Sequence, residues 1–274
     1  IESVGGEIVY TDDITFSSSN LLNKFGNLFS KKQEFLIQNI VKKYKFEQIN
    51  TTLEDIKKLK VLVVGEAIID QYVFCEALGK SGKEPVLVLR DLETENYLGG
   101  SLAIARHLNE FCNNISVLSF LGEDKEYEDF IKETIEDNIE LNFLTKSNSP
   151  TIVKRRFVDN IDRKKILGVY SINDSLLNPD DEQSFLDSLE VKSKEYDLVI
   201  VSDYGHGIIT SKIATYLSEL DNFVSLNTQV NAANIGTHNI KKYRNINSLI
   251  INETELLYEM RKRDGDIGKM AIEL

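Results

Sequence analysis

Three groups of residues able to do chemistry each follow directly on an apolar run. Asp70 comes after Val61-Leu62-Val63-Val64-Gly65-Glu66-Ala67-Ile68-Ile69, Asp203 after Leu198-Val199-Ile200-Val201-Ser202, and Asn252-Glu253-Thr254-Glu255 after Ser248–Ile251. Such runs predict strands buried on both faces, as in a parallel sheet. The carboxyl ends of those strands converge on one rim, where open α/β sheets bind their ligands, so the three groups can share a crevice. Asp70 and Asp203 can accept hydrogen bonds from hydroxyl groups. Asn252 and Glu255, at i and i+3 of a helix start, fall on one face and can orient a hydrated metal ion or a phosphate. The same two residues also make a helix cap with its capping-box partner, and Asp203 also suits a turn before Gly205 and Gly207.

Two further features belong with these. Gly99-Gly100 opens an apolar-periodic segment running to about Leu108. Glycines there let a ligand approach the backbone and the helix start favours polar or anionic groups, although the pair also serves as plain turn chemistry. Lys154 and Arg156 alternate to one face of a strand over Thr151–Val158, with Arg155 on the other. Two like charges on one sheet face point to solvent unless a phosphate sits opposite.

The elements that must position these residues alternate along the chain. An amphipathic helix is expected from Lys31 to Phe46, packed on the protein, and a short helix over residues 47–59. After the strand at 61–65, extended runs at 72–78 and 85–92 flank a loop at Gly79–Glu84. A strand at 115–121, a helix from Lys125 to Asn138 and a strand at 141–145 follow. The paired runs 151–158 and 164–170 join across a turn-rich stretch. Then come a helix near 180–189, the strand ending at Asp203, a helix at 212–220, strands at 223–226 and 248–251, and a helix from Glu253. Buried strands alternating with helices predict a doubly wound α/β sheet, and the two exposed strand pairs a small accessory sheet.

Composition narrows the function classes. The 274 residues carry a net charge of −12, which argues against general nucleic-acid binding but not against a nucleotide substrate. Cys75 and Cys112 are the only cysteines, too few for a disulfide framework, so a reducing, cytoplasmic setting is expected. No apolar run approaches the ~20 residues of a membrane span. The N-terminus lacks an initiator Met, and the expectation is that the chain is a piece of something longer.

The motif order Gly65-Glu66-x-x-x-Asp70-x-Tyr72, Glu84-Pro85-Val86, Gly99-Gly100, Thr151-x-x-Lys154-x-Arg156, Ser202-Asp203-Tyr204-Gly205-x-Gly207 and Asn252-x-x-Glu255 resembles the ribokinase-like (PfkB) carbohydrate kinases over about residues 59–274. The nearest branch is the kinase domain of bifunctional heptose 7-phosphate kinase/heptose 1-phosphate adenylyltransferases. The resemblance implies a ribokinase-like fold: a doubly wound, mostly parallel sheet with a small β lid, its C-terminal part missing. It implies transfer of phosphoryl from ATP, with Mg2+, to a hydroxyl of a sugar or sugar phosphate. Asp70, Gly99, Gly100, Lys154, Arg156 and Asp203 would hold the sugar, and Asn252 and Glu255 would serve the nucleotide phosphates and the metal. The strand pairs at 72–92 and 151–170 would form the lid and a homodimer contact. Residues 5–19 are similar to the end of a cytidylyltransferase-like domain, so residues 1–29 are read as the trailing end of a nucleotidyltransferase and 30–58 as a helical linker.

The chain departs from that pattern at several points. The family's Gly-Ala-Gly-Asp motif, with the catalytic base, is expected beyond Leu274, which predicts that this stretch alone is inactive. The family's Asn after the Gly pair is replaced around Leu102-Ala103. Where the heptose branch has Lys in Asp-Tyr-Gly-Lys-Gly, this chain has His206. Its second lid-strand Arg falls near Gly168, and its Asp-Pro-Lys is Asn227-Thr228-Gln229. The alternative reading is therefore an inactive kinase-like binding and dimerisation module.

Overall fold

A computed structural model describes residues 29–231, 234 and 240–274. The expected nucleotidyltransferase remnant lies outside the described residues except for Phe29. The chain divides into two compact units, residues 1–53 and 54–274. In the first, helix α1 (Lys31–Lys43) starts at Ser30, whose hydroxyl accepts from the Gln33 amide while Gln33 returns a bond to the Ser30 backbone. Among the described residues Phe35 and Val41 are 63% and 70% exposed and no residue of α1 is buried. The cap and the lysines of the last turn support this helix locally. Helix α2 (Phe46–Ile56) follows and leads into the second unit.

The second unit is built on a six-stranded parallel sheet of β1 (Lys60–Gly65), β4 (Asn114–Leu121), β5 (Ile139–Thr145), β8 (Leu198–Asp203), β9 (Phe223–Thr228) and β10 (Ser248–Ile250). Their order is β10-β9-β8-β1-β4-β5, and every pairing is parallel. The apolar run Val61–Val64 is completely buried because both faces of β1 are covered. Leu62 and Val64 join one core with Phe185, Leu189, Ile213 and Leu217. Val61 and Val63 join the other with Leu102, Ala105, Ile131 and Ile135. The helices supplying these side chains are α3 (Ser101–Leu108), α4 (Glu128–Thr134), α5 (Pro179–Ser193) and α6 (Ser211–Ser218). Helices α7 (Glu253–Glu259) and α8 (Ile267–Glu273) close the described chain. From β1 the chain builds outward through β4 and β5 on one side and β8, β9 and β10 on the other. Strand order thus reverses at β1 and β8, which opens a crevice beyond their carboxyl ends.

A second sheet rises from that point. Strands β2 (Ala67–Lys80), β3 (Leu87–Gly100), β6 (Ile152–Asp159) and β7 (Lys165–Ser171) are ordered β3-β2-β6-β7, with β2 and β6 parallel and the outer pairs antiparallel. Its first hairpin is longer than the expected runs at 72–78 and 85–92, and the loop falls at 81–86 instead of 79–84. The cause is Glu66. Its backbone carbonyl accepts from the Ser101 amide and the Ala67 amide donates to Ser119 Oγ, so the chain leaves the parallel sheet at once and Ile68–Asp70 belong to β2. The helix expected over 125–138 is trimmed to α4, because Tyr127 enters it in the left-handed region at φ 69° and Ile135 leaves it extended. Among the described residues no helix is long and apolar enough to cross a membrane.

Candidate active site

The strand register of the second sheet assembles one polar face over the crevice. Asp70 lies beside Lys154, Tyr72 beside Arg156, and Lys154 beside Tyr170, so alternation aims Asp70, Tyr72, Lys154 and Arg156 the same way. Arg156 Nη1 donates to Asp70 Oδ1 at 2.5 Å, and its guanidinium sits 5.5 Å from the Tyr72 ring centroid. Arg155 points to the opposite face and binds Gln71. Lys154 is 6% exposed, yet no carboxylate lies within ion-pair distance among the described residues. Its Nζ lies 5.3 Å from the Tyr204 ring centroid and 5.9 Å from that of Tyr170. Burial holds the ammonium below the usual lysine range, and Asp70 and Glu66 oppose that pull. A buried cation without a counter-ion is costly, and an electron-rich ligand relieves the cost.

Gly99 and Gly100 are required by space. A Cβ on Gly99 would stand 2.5 Å from Asp70 Oδ2. One on Gly100, where φ is +58°, would stand 2.2 Å from the Glu66 carbonyl oxygen. The Gly pair therefore lets β3 pass the Asp70 carboxylate and turn directly into α3.

The crevice floor is a buried polar network whose main members carried no assigned role in the sequence. The Glu66 side chain is completely buried, and its two oxygens accept from the Tyr204 amide at 2.9 Å and the His206 amide at 3.2 Å. Burial, with the neighbouring Asp203 charge second, pushes its carboxyl up to about 7. Lys146 Nζ donates to the carbonyls of Asn173, Ser175 and His206 at 2.6, 2.8 and 3.1 Å. His206 Nδ1 lies 2.8 Å from Asp174 Oδ1. Glu66 did carry a local signal, an acid at the end of an apolar strand. Lys146, Asp174 and Tyr243 carried none.

Three of the expected site residues are hydrogen-bonded within the fold. Asp203 is 1% exposed, and its carboxylate accepts from Lys242 Nζ and the Tyr243 hydroxyl, each at 2.6 Å, and from the Gly205 amide at 3.0 Å. It ties the Tyr204–Gly207 turn to the segment before β10, and these bonds take three of a carboxylate's roughly four acceptor positions. Asn252 and Glu255 form the helix cap: Asn252 Oδ1 accepts from the Glu255 amide at 2.9 Å, and Glu255 Oε2 from the Asn252 amide at 2.8 Å. Glu255 Oε1 also accepts from the Val230 amide at 3.3 Å. No group of three or more His, Cys, Asp or Glu suited to a metal occurs among the described residues. Asp70, Gly99, Gly100, Lys154 and Arg156 come together, while Asp203 bonds to the turn that carries Tyr204.

Comparison with known proteins agrees with this architecture. The chain is 27% identical over 157 residues to the bifunctional protein HldE of Campylobacter jejuni (strain RM1221); the match spans 57% of this chain and 32% of that relative. Among solved structures, phosphofructokinase-2 from Escherichia coli in complex with fructose-6-phosphate superposes with a TM-score of 0.56 at 14% identity, covering 78% of this chain and 69% of that one. Ribokinase from Thermotoga maritima superposes with a TM-score of 0.53 at 16% identity, covering 78% and 67%. These similarities establish a ribokinase-like α/β fold. The pfkB family carbohydrate kinase profile matches residues 58–258, and with both sheets and the site within that span, the chain belongs to the PfkB family of carbohydrate kinases.

Proposed function

We propose that this chain binds a sugar or sugar phosphate between the polar face of the second sheet and the crevice at β1 and β8, and that the intact protein phosphorylates one of its hydroxyls from ATP. The observation that carries the reading is Lys154, a nearly buried ammonium without a counter-ion, set beside the Asp70–Arg156 pair. Asp70 accepts from sugar hydroxyls, Arg156 orients Asp70 and faces the acceptor, and Gly99 and Gly100 leave room for the ring. Asp203 acts indirectly, by holding the turn that carries Tyr204. Nucleotide phosphates, with the magnesium they carry, would approach the start of α7, where Asn252 and Glu255 shape the loop. Phosphoryl transfer rests on positioning and charge stabilisation, which a polar face over a strand-end crevice can supply.

A heptose phosphate is the preferred acceptor within this reading, with the kinase forming part of a nucleotidyltransferase–kinase protein that makes activated sugars. The second sheet supports self-association as a homodimer: Leu167 and Val169, two apart on the edge strand β7, are 54% and 45% exposed. The rival reading, an inactive module, draws on the losses at Gly168 and Asn227-Thr228-Gln229. Thermal shift of the full-length chain with fructose 6-phosphate and sedoheptulose 7-phosphate tests the binding half. Stabilisation that disappears in Asp70→Ala supports the proposal, and no stabilisation by any sugar or sugar phosphate refutes it.

A further inference from the structure

The second sheet carries a cavity of about 440 Å³ that begins at Asp70 and runs outward along β2 past Tyr72 and Phe74. That volume lies in the range of small-ligand sites, and Asp70 makes the cavity continuous with the candidate site. Strand register sets its walls. On one side Tyr97 pairs with Asp70 and Glu95 with Tyr72; on the other Val158 pairs with Phe74 and Lys165 with Val158. The two walls differ in sign. On the β3 side Glu95 accepts from the Tyr97 hydroxyl. On the β7 side stand Arg163 and Lys165. The Arg163 guanidinium lies 4.7 Å from the Phe74 ring centroid, carried there by a hairpin turn in which the Arg163 amide donates to the Asp159 carbonyl at 2.9 Å. Lys164, between the two, spends its charge on Asp162 at 3.2 Å, whereas neither Arg163 nor Lys165 has a carboxylate within ion-pair distance among the described residues. Both side chains are exposed, so a ligand reaches them from solvent. Between the walls the lining is aromatic, with the Tyr72 and Tyr97 rings edge to face at 5.7 Å.

We propose that this cavity reads the phosphate of a phosphorylated acceptor: Arg163 and Lys165 bind the phosphate of a sugar phosphate whose hydroxyls lie along Asp70, Glu95 and Tyr97. This rests on the sugar-kinase reading above and deepens it, because it makes the acceptor a sugar phosphate and not a free sugar. Guanidinium and ammonium groups bind phosphate through charge-assisted hydrogen bonds, and stacking on Phe74 holds the Arg163 plane while leaving its N–H groups free to donate. The opposite wall suits hydroxyls. Carboxylates accept from them and repel an anion, so the difference in charge between the walls orients the ligand. Asp70 and Phe74 stand four residues apart on β2, about 13 Å of strand. An extended sugar phosphate bridges that span together with the long side chains of Arg163 and Lys165.

The test is isothermal titration calorimetry of the full-length chain with sedoheptulose 7-phosphate and fructose 6-phosphate, each beside its unphosphorylated sugar, in wild type and in the double variant Arg163→Gln/Lys165→Gln. Both side chains are exposed, so the double variant should keep the wild-type urea midpoint. Its affinity for the sugar phosphate should fall roughly tenfold or more and its affinity for the free sugar by less than about threefold, which removes the preference for the phosphate. Arg163→Lys/Lys165→Arg keeps both charges and should bind the sugar phosphate within about threefold of wild type. ATP affinity should stay unchanged in all three proteins, which separates the acceptor's phosphate from those of the nucleotide. Wild-type affinity for the sugar phosphate in the double variant, a free sugar bound by wild type as tightly as its phosphate, or an equal loss of ATP and sugar phosphate would each overturn the subsite alone. No binding of any sugar or sugar phosphate by wild type overturns the sugar-kinase reading with it.

Discussion

Replacing Glu66 by Gln should flatten the pH dependence of stability between pH 5 and pH 8. Glu66 is completely buried, and its carboxyl titrates at about 7 in the fold against 4.5 for the free side chain. A raised carboxylate pKa means that the fold disfavours the charged form. Its contribution is therefore intact below about pH 4.5, where both states bind the proton, and is lost as pH rises through about 7. At about 1.4 kcal/mol for each pH unit over which only the folded state keeps the proton, wild type should lose about 2–3 kcal/mol between pH 5 and pH 8 from this group. Gln cannot ionise, so that loss disappears. The substitution has its own pH-independent cost of about 1–3 kcal/mol, since the Gln amide nitrogen must oppose one of the backbone N–H groups of Tyr204 and His206. Urea unfolding at half-unit pH steps measures both, provided the slope with urea is common to the two proteins. A wild-type-minus-variant difference that stays constant across this range would refute the reasoning and show that Glu66 ionises freely at its ordinary value.

Three substitutions separate binding from folding. Gly99→Ala places its Cβ against the end of the Asp70 side chain, which can swing aside; sugar binding should fall tenfold or more while the urea midpoint stays near wild type. Gly100→Ala meets backbone at 2.2 Å in a left-handed conformation, so it should destabilise the fold by about 2–4 kcal/mol in the same titration. Lys154→Met removes a buried unpaired ammonium and leaves a side chain suited to the Tyr204 and Tyr170 rings. Stability should rise by about 1 kcal/mol while acceptor binding is lost, the trade expected at a site held ready for a ligand; a variant that unfolds more easily and still binds would contradict it.

The parallel sheet was legible because burial on both faces forces an apolar run, and Val61–Val64 is one. The polar face was legible as well, since alternation alone puts Lys154 and Arg156 together. The paired strand β2 beside them was only half visible. Ile68 and Ile69 read as a continuation of β1, and nothing local shows the chain crossing between sheets at Glu66. Asn252 and Glu255 illustrate a different limit. Their i and i+3 spacing suits a ligand pair and a capping box equally, and only the bonds from the Glu255 and Asn252 amides show that the capping box forms. The crevice floor was hidden because its bonds span great distances in sequence. Glu66 reaches Tyr204 and His206, 138 and 140 residues away, and Lys146 reaches His206, 60 away. No window of sequence contains such a network.

The central claim is that the Lys154 face receives the acceptor of a phosphoryl transfer. The most direct measurement is ATP-dependent phosphorylation by the full-length protein across sugars and sugar 7-phosphates, with Asp70→Ala and Lys154→Ala alongside. The account predicts turnover with a member of that panel, lost in both variants while their folds persist. Turnover that survives both substitutions would contradict it and move the acceptor site elsewhere.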